Sequence, residues 1–290
     1  MLKYLIISTR PKQWYKNSLL FVGIVFSANI LNTSMWVTVV LAFIYFCMLS
    51  AGEYLINDVL DRERDRSHPL KSRRPIASGQ LRVPPALLLA SLLIVLALLG
   101  SYFTINLNFL IISVSYLVLI LLYSLVFKHL IIADVLVIST GFVARAIAGC
   151  LAIKVVISPW LIVCTFLLAL FLALEKRWHE LATLANDAQA HHPSLSEYPT
   201  RMLEQLVGII TGALIVSYLL YTFFAGNEAM LFTSPFAIYG LFRYLYLVHW
   251  RRLGGEPEVI FKDKAMLINS GIWVLLVVSI ILYGLYHGNG

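Results

Sequence analysis

Asn57, Asp58, Asp61 and Asp65 crowd into the start of the polar stretch NDVLDRERDRSHPLKSRRPIASGQLR, which runs to Arg82. If a helix continues through them, Asn57, Asp61 and Asp65 form one stripe and Asp58 sits beside it. Oxygen ligands gathered in this way suit Mg2+, which takes one or two carboxylates and fills its other positions with water and phosphate oxygens. Lys71, Arg73 and Arg74 follow in a short loop ended by Pro75 and Gly79. Carboxylates able to hold a metal, next to a basic cluster, are what a departing diphosphate requires, because charge develops on it as the bond breaks. The competing reading is a solvated helix end in which Arg62, Arg64 and Arg66 pair with the acids.

A second polar patch reads Glu175, Lys176, Arg177, Trp178, His179, Glu180, and its loop continues through Asp187, His191, His192, Glu197 and Tyr198. The three histidines lack a compact zinc-ligand spacing. Phosphate contact by Lys176 and Arg177, with Glu180 as a further ligand for metal or water, is better motivated. Asp134 and Arg145 lie on one helix face roughly 16 Å apart along the axis, and an ionisable group at Arg145's depth normally faces a cavity or a partner. A salt bridge from Arg145 to Glu53 competes with a functional role. Tyr123 and Lys128 could reach a phosphate, or Lys128 could merely snorkel. The loop RRLGGEPEVIFKDK, 251–264, reads as a surface turn.

The elements that must position these groups are apolar. Of 290 residues, 60% are hydrophobic and only 13% charged, against about 25% charged in soluble domains. Residues 83–127 contain no Asp, Glu, Lys or Arg, and about 20 apolar residues suffice for a membrane span. This excludes a soluble enzyme, a disordered chain and a fibre. Nine apolar segments fall near 18–31, 35–57, 83–103, 106–127, 130–153, 155–174, 203–225, 231–249 and 266–286, and their lengths and lack of alternation predict helices. The expectation is an all-α polytopic membrane protein with nine transmembrane helices, one domain over 1–290, under a cap of loops. Twenty of the 22 Lys and Arg fall on one side of this map. By the positive-inside rule that side and the N-terminus are cytoplasmic and the C-terminus external, which places the chain in the cell membrane. The net charge of +7 therefore reflects sidedness, and nucleic acid is not expected as a partner. Exposed aromatic positions on the spans could pack against further copies in a homo-oligomer. Cys47, Cys150 and Cys164 lie in apolar stretches and read as packing residues. No GxGxxG, Walker-type loop or nucleophile elbow is present.

The N-D-x-x-D-x-x-x-D run at Asn57 to Asp65, after the second span, resembles the first aspartate motif of the UbiA-type intramembrane prenyltransferase superfamily. Further stretches resemble its decaprenyl-phosphate phosphoribosyltransferase branch: RPKQWYKN at 10–17, HPLKSRRPIASG at 68–79, the stretch from Lys128 to Asp134 leading to ARAIAGC at 144–150, EKRWHE at 175–180, SEYPT at 196–200 and GGEPE at 254–258. The resemblance implies a UbiA-like bundle and transfer from phosphoribosyl diphosphate to a polyprenyl phosphate with Mg2+. It implies that Asn57, Asp58, Asp61 and Asp65 hold the metal and the donor diphosphate. Lys16, Lys71, Arg74, Lys176 and Arg177 would contact donor phosphates, Tyr198 would lie near the sugar, and Lys128 and Arg145, with Tyr123 close by, would place the acceptor phosphate. Asp58, Asp61 and Lys16 would be the catalytic groups. Members that prenylate aromatic acceptors carry a second D-x-x-x-D motif, where this chain has Glu175 and Glu180 around a Lys-Arg pair. That departure favours phosphoribosyl over prenyl transfer.

The alternatives are prenyl transfer to a small acceptor and, from another class, a lipid or ion transporter. Transporters carry charged groups near the midplane of several spans, whereas here only Arg145 is deep. Asp58→Ala and Asp61→Ala are expected to abolish turnover and leave the bundle folded, because these side chains should meet solvent and metal instead of the core.

Overall fold

A computed structural model describes residues 1–68, 71–183, 198–224, 228–255 and 257–287. Among these described residues the regular structure is helical, and eight helices are long and apolar enough to cross a membrane. The chain divides into two compact units, Met1–Ile157 and the described residues from Ser158 onward.

The first unit contains α1 (Leu2–Ser8), a 3-10 run (Pro11–Phe21), α2 (Val22–Phe26), α3 (Thr33–Leu60), α4 (Arg62–Ser67), α5 (Val83–Thr104), α6 (Leu107–Leu125) and α7 (Ala133–Ala152). Local chemistry sets these boundaries. Asn32 caps α3 by accepting from Met35 N at 3.3 Å, and Asn106 caps α6 by accepting from Phe109 N at 2.9 Å. The Asn106 amide also donates to the carbonyls of Leu151 and Ala152, which end α7 and have no partner within that helix. Prolines occupy the first turn of α5, where a missing N–H does no harm. Phe46 packs between Phe109 and Tyr116, with ring centroids 5.7 and 5.1 Å away. Leu20 and the alanines at 42, 144, 148 and 152 complete this core.

The first of the nine apolar segments differs from expectation. It forms no helix of span length, but the 3-10 run followed by α2. Arg10 pairs with Asp58 near the C-terminal end of α3, whereas the segment ends at Asn32, the N-cap of α3. The α3 residues between those points rise about 37 Å, so residues 11–32 must cover that distance in the opposite direction. A 3-10 helix rises about 2.0 Å per residue against about 1.5 Å in an α-helix, and eleven residues of it shorten the task. Among the described residues, the eight helices of span length together with this antiparallel run therefore come close to the nine segments expected. Gly149 allows this tight docking: a Cβ there would run into the Leu20 carbonyl.

The second unit contains α8 (Pro159–Thr183), α9 (Thr200–Phe224), a 3-10 turn (Glu228–Thr233), α10 (Ser234–His249), a 3-10 turn (Pro257–Lys262) and α11 (Lys264–His287). Polar links tie its helices together. Trp273 donates to the Tyr218 hydroxyl at 2.8 Å, and Tyr218 bonds Thr233 at 2.7 Å. In both units large apolar side chains such as Leu88, Phe103, Phe232 and Leu275 are exposed, which in lipid is solvation.

Candidate functional site

α3 ends at Leu60 and α4 begins at Arg62, yet Asp61 N still bonds Asn57 O and Asp65 N bonds Asp61 O. Helical spacing thus persists across the break. The carboxylates nevertheless do not form the single stripe of a continuous helix. Asp58 Oδ1 and Asp65 Oδ2 both accept from one nitrogen of Arg74, at 3.1 and 2.6 Å, and Asp58 also pairs with Arg10. Asp61 turns to Lys128, 2.5 Å away. Asn57 is half-buried beside them. Arg10 adopts a left-handed backbone (φ 49°) at the start of the 3-10 run, and its guanidinium also lies over the Tyr54 ring.

Two further findings bear on the acids. Arg10, Arg74 and Lys128 are the cations paired with the three aspartates, while Arg66 pairs with Glu63 and donates to Ala77 O, pinning the loop that carries Arg74. That loop turns at Gly79, whose φ of 80° suits glycine. Lys128 is buried and ion-paired, so snorkelling is not its arrangement. Burial, together with Lys128 and Arg64, holds the His129 imidazole below its ordinary value. His129 is then neutral at pH 7 and adds no charge to this edge.

Among the described residues no three Asp, Glu, His or Cys side chains form a closed metal cage. Mg2+ asks for less. Asp58 and Asp65 already converge on one cationic nitrogen, and their hard oxygen donors fit Mg2+ with substrate phosphate completing the coordination. The expectation that Asp58 meets solvent is corrected, however: it is only 2% exposed, because two guanidiniums cover it.

Deeper in the same unit, Arg145 is 6% exposed. Its Nε donates to Asn17 Oδ1 at 2.8 Å, one terminal nitrogen to Gly141 O at 2.9 Å and the other to the Tyr116 hydroxyl at 2.5 Å. The guanidinium also lies over the Tyr116 and Phe142 rings. The alternative of a direct Arg145–Glu53 salt bridge is not what forms: Tyr116 takes the bond. Glu53 is buried, and its Oε1 has no hydrogen-bond partner among the described residues.

In the second unit the end of α8 carries the other patch. Glu175 is completely buried and accepts from, or donates to, His249 Nε2 at 3.1 Å. Trp178 stacks on the His249 ring with centroids 3.8 Å apart and donates to Glu204. Arg177, also buried, pairs with Glu180 at 2.8 Å, and Lys176 lies 3.9 Å from the same carboxylate. The loop after α10 is held where the Tyr244 hydroxyl donates to Gly255 O. Tyr198 is buried just before α9. Asp187, His191, His192, Glu197 and Glu256 lie outside the described residues.

Within the first unit, then, Asp58, Asp65 and Arg74 come together and Asp61 joins Lys128, while Arg145 forms a separate, deeper centre. Lys16, Lys71 and Tyr123 are half-buried in that unit. Lys176, Arg177 and Glu180 cluster in the second. The sequence reading gave no role to Arg10, Asn17, Tyr116 or His249. For Arg10 and Asn17 the signal lay in RPKQWYKN, whose first and last residues they are; for Tyr116 and His249 no local pattern marks them.

Residues 18–270 match the UbiA prenyltransferase family. The decaprenyl-phosphate phosphoribosyltransferase of Mycolicibacterium smegmatis is 31% identical over 289 residues, covering 93% of this chain and 90% of that protein. The protein of the same name from Corynebacterium glutamicum is 31% identical over 284 residues, covering 94% and 85%. The solved structure of a UbiA homolog from Archaeoglobus fulgidus bound to DMAPP and Mg2+ aligns with a TM-score of 0.73 over 96% of this chain and 98% of that one. At 19% identity that likeness speaks to the fold.

Proposed function

Because the chain belongs to the UbiA prenyltransferase family, we propose that it transfers the 5-phosphoribosyl group of phosphoribosyl diphosphate to a polyprenyl phosphate of the decaprenyl type, releasing diphosphate. The relatives named for this reaction span nearly the whole chain. The observation that carries the choice over prenyl transfer is the state of Glu175. It stands where aromatic prenyltransferases are expected to carry a second aspartate motif, yet it is sealed from solvent and engaged by His249. Lys176 and Arg177 beside it are cations suited to a donor that bears a 5-phosphate.

Asp58, Asp61 and Asp65, with Asn57, are the residues that would hold Mg2+, which when bound supplies neutralisation of the charge gathering on diphosphate. Arg74, Lys16 and Lys71 bind donor phosphates in the first unit. Lys176 and Arg177 take the same class of contact in the second, Glu180 orients Arg177, and Tyr198 contacts the sugar. Lys128 fixes Asp61, and Arg145, with Tyr123, serves the acceptor phosphate. A lipid phosphate oxygen forms the new bond to the anomeric carbon as the bond to the diphosphate oxygen breaks, with oxocarbenium-like charge between them. The nucleophile is already ionised, so no general base is needed; orientation and electrostatics supply the rate. The edge bearing the aspartates faces the cytoplasm, with the N-terminus on that side and the C-terminus external.

Incubating the purified protein and Mg2+ with phosphoribosyl diphosphate, a prenyl diphosphate, polyprenyl phosphates and aromatic acids tests the reading by mass spectrometry of the lipids. A phosphoribosylated lipid is expected. A prenylated aromatic product alone would replace this reading with prenyl transfer.

A further inference from the structure

Arg145 is a buried cation whose bonded acceptors are an amide oxygen, a backbone carbonyl and a hydroxyl, all of them neutral. A buried charge normally acquires a counter-ion, because isolation in a low-dielectric interior is costly. Glu53, the neighbouring carboxyl, is reached through Tyr116 and not directly. Asn17 completes this arrangement. It is 1% exposed, accepts from Arg145 Nε, and is turned by a bond from its amide nitrogen to Cys47 Sγ at 3.4 Å. Ser50 donates to the same Asn17 oxygen at 3.4 Å.

The position of Asn17 is itself built. It lies on the 3-10 run that Gly149 brings against α7, and α7 carries Arg145 one turn before Gly149. An aspartate would occupy the same volume and bind the guanidinium more strongly, since charge-assisted bonds are the stronger ones. The chain instead places an amide there, which fixes the ring of donors without setting a carboxylate directly against the guanidinium.

We propose that Asn17 is a positioning residue for the acceptor: it orients Arg145 without neutralising it, keeping the guanidinium available to the phosphate of the polyprenyl substrate. This rests on the phosphoribosyl-transfer reading and adds to it a residue that sets acceptor affinity. The contacts of Asn17 are to Arg145, Cys47 and Ser50, so its effect is expected to pass through Arg145 to the acceptor.

Asn17→Asp separates this role from a structural one, because the two predict opposite results. If Arg145 only braces the helices, a carboxylate at 17 gives it a better partner, and thermal stability holds or rises with kinetics unchanged. If Asn17 acts as proposed, stability again holds or rises, but KM for polyprenyl phosphate increases at least tenfold, while KM for phosphoribosyl diphosphate stays within twofold. Arg145→Gln should raise the acceptor KM similarly, and adding Asn17→Asp to it should bring no further increase. Should Asn17→Asp not fold, Asn17→Ser decides by the same split, with a selective rise in acceptor KM expected. An acceptor KM within twofold of the parent in a folded Asn17 variant overturns the proposal. Absence of transfer by the parent protein with any acceptor would instead overturn the reading on which it rests.

Discussion

Replacing Asp58 and Asp61 one at a time by alanine distinguishes two carboxylates that look alike in the motif. Asp58 is 2% exposed and pairs with Arg10 and Arg74, so Asp58→Ala removes a carboxylate that two guanidiniums share. Removing one partner of a buried ion pair costs about 3–5 kcal/mol. Both arginine side chains are 26% exposed and Arg74 keeps Asp65, so hydration and the remaining pair offset part of this, leaving about 2 kcal/mol. That corresponds to a Tm lower by about 4–8 °C. Asp61 is 21% exposed and pairs with Lys128, and Asp61→Ala should cost about 1 kcal/mol or less. Both variants should lose transfer by at least about a hundredfold, the scale of losing an electrostatic contact to the transition state. Cys47 and Cys150 are buried, so a thiol-reactive fluorophore reports unfolding of the detergent-solubilised protein. Equal melting temperatures for parent and Asp58→Ala, or a larger loss in Asp61→Ala, would refute the assignment of Asp58 to a buried pair.

Other perturbations are expected to act as follows. His249→Leu leaves the buried Glu175 carboxyl without its bond and should destabilise by about 1–3 kcal/mol, whereas His249→Gln, which keeps a donor, should cost less in the same melting assay. Asp263 bonds Arg243 and also caps the start of α11 through Met266 N at 2.8 Å, so Asp263→Ala should cost about 1 kcal/mol. The Arg243 bond holds the Asp263 carboxyl below its ordinary value. A depressed folded-state value means the contribution is complete above the unfolded carboxylate range and disappears as pH falls through the folded value. The Tm difference between the parent and Asp263→Asn should therefore shrink on acidification, and a constant difference down to strongly acidic pH would contradict the pairing.

What was legible in the sequence follows from physical range. Length and hydropathy marked the apolar segments, since crossing lipid demands long runs and satisfied backbone bonds. The aspartate motif was legible because its members are local, a few residues apart on helical spacing. The form of the first crossing was not, because a 3-10 run carrying Lys12, Lys16 and Asn17 has the composition of an interfacial piece, and only the Arg10–Asp58 and Asn17–Arg145 contacts fix its path. Pairings at large sequence separation were equally hidden. Lys128 to Asp61 spans 67 residues and His249 to Glu175 spans 74. The choice of Tyr116 over Glu53 by Arg145 depends on side-chain reach across three helices, which no spacing encodes.

The central claim is that the ribose 5-phosphate moiety moves to the lipid and the diphosphate leaves. Two preparations of phosphoribosyl diphosphate, one labelled in the 5-phosphate and one in the terminal phosphate of the diphosphate, test it when each is incubated with the protein, Mg2+ and polyprenyl phosphate before organic extraction. The 5-phosphate label should enter the organic phase while the diphosphate label stays in water as inorganic diphosphate. Both labels in the organic phase would contradict the bond cleavage proposed, and neither label there with any polyprenyl phosphate would contradict the transfer itself.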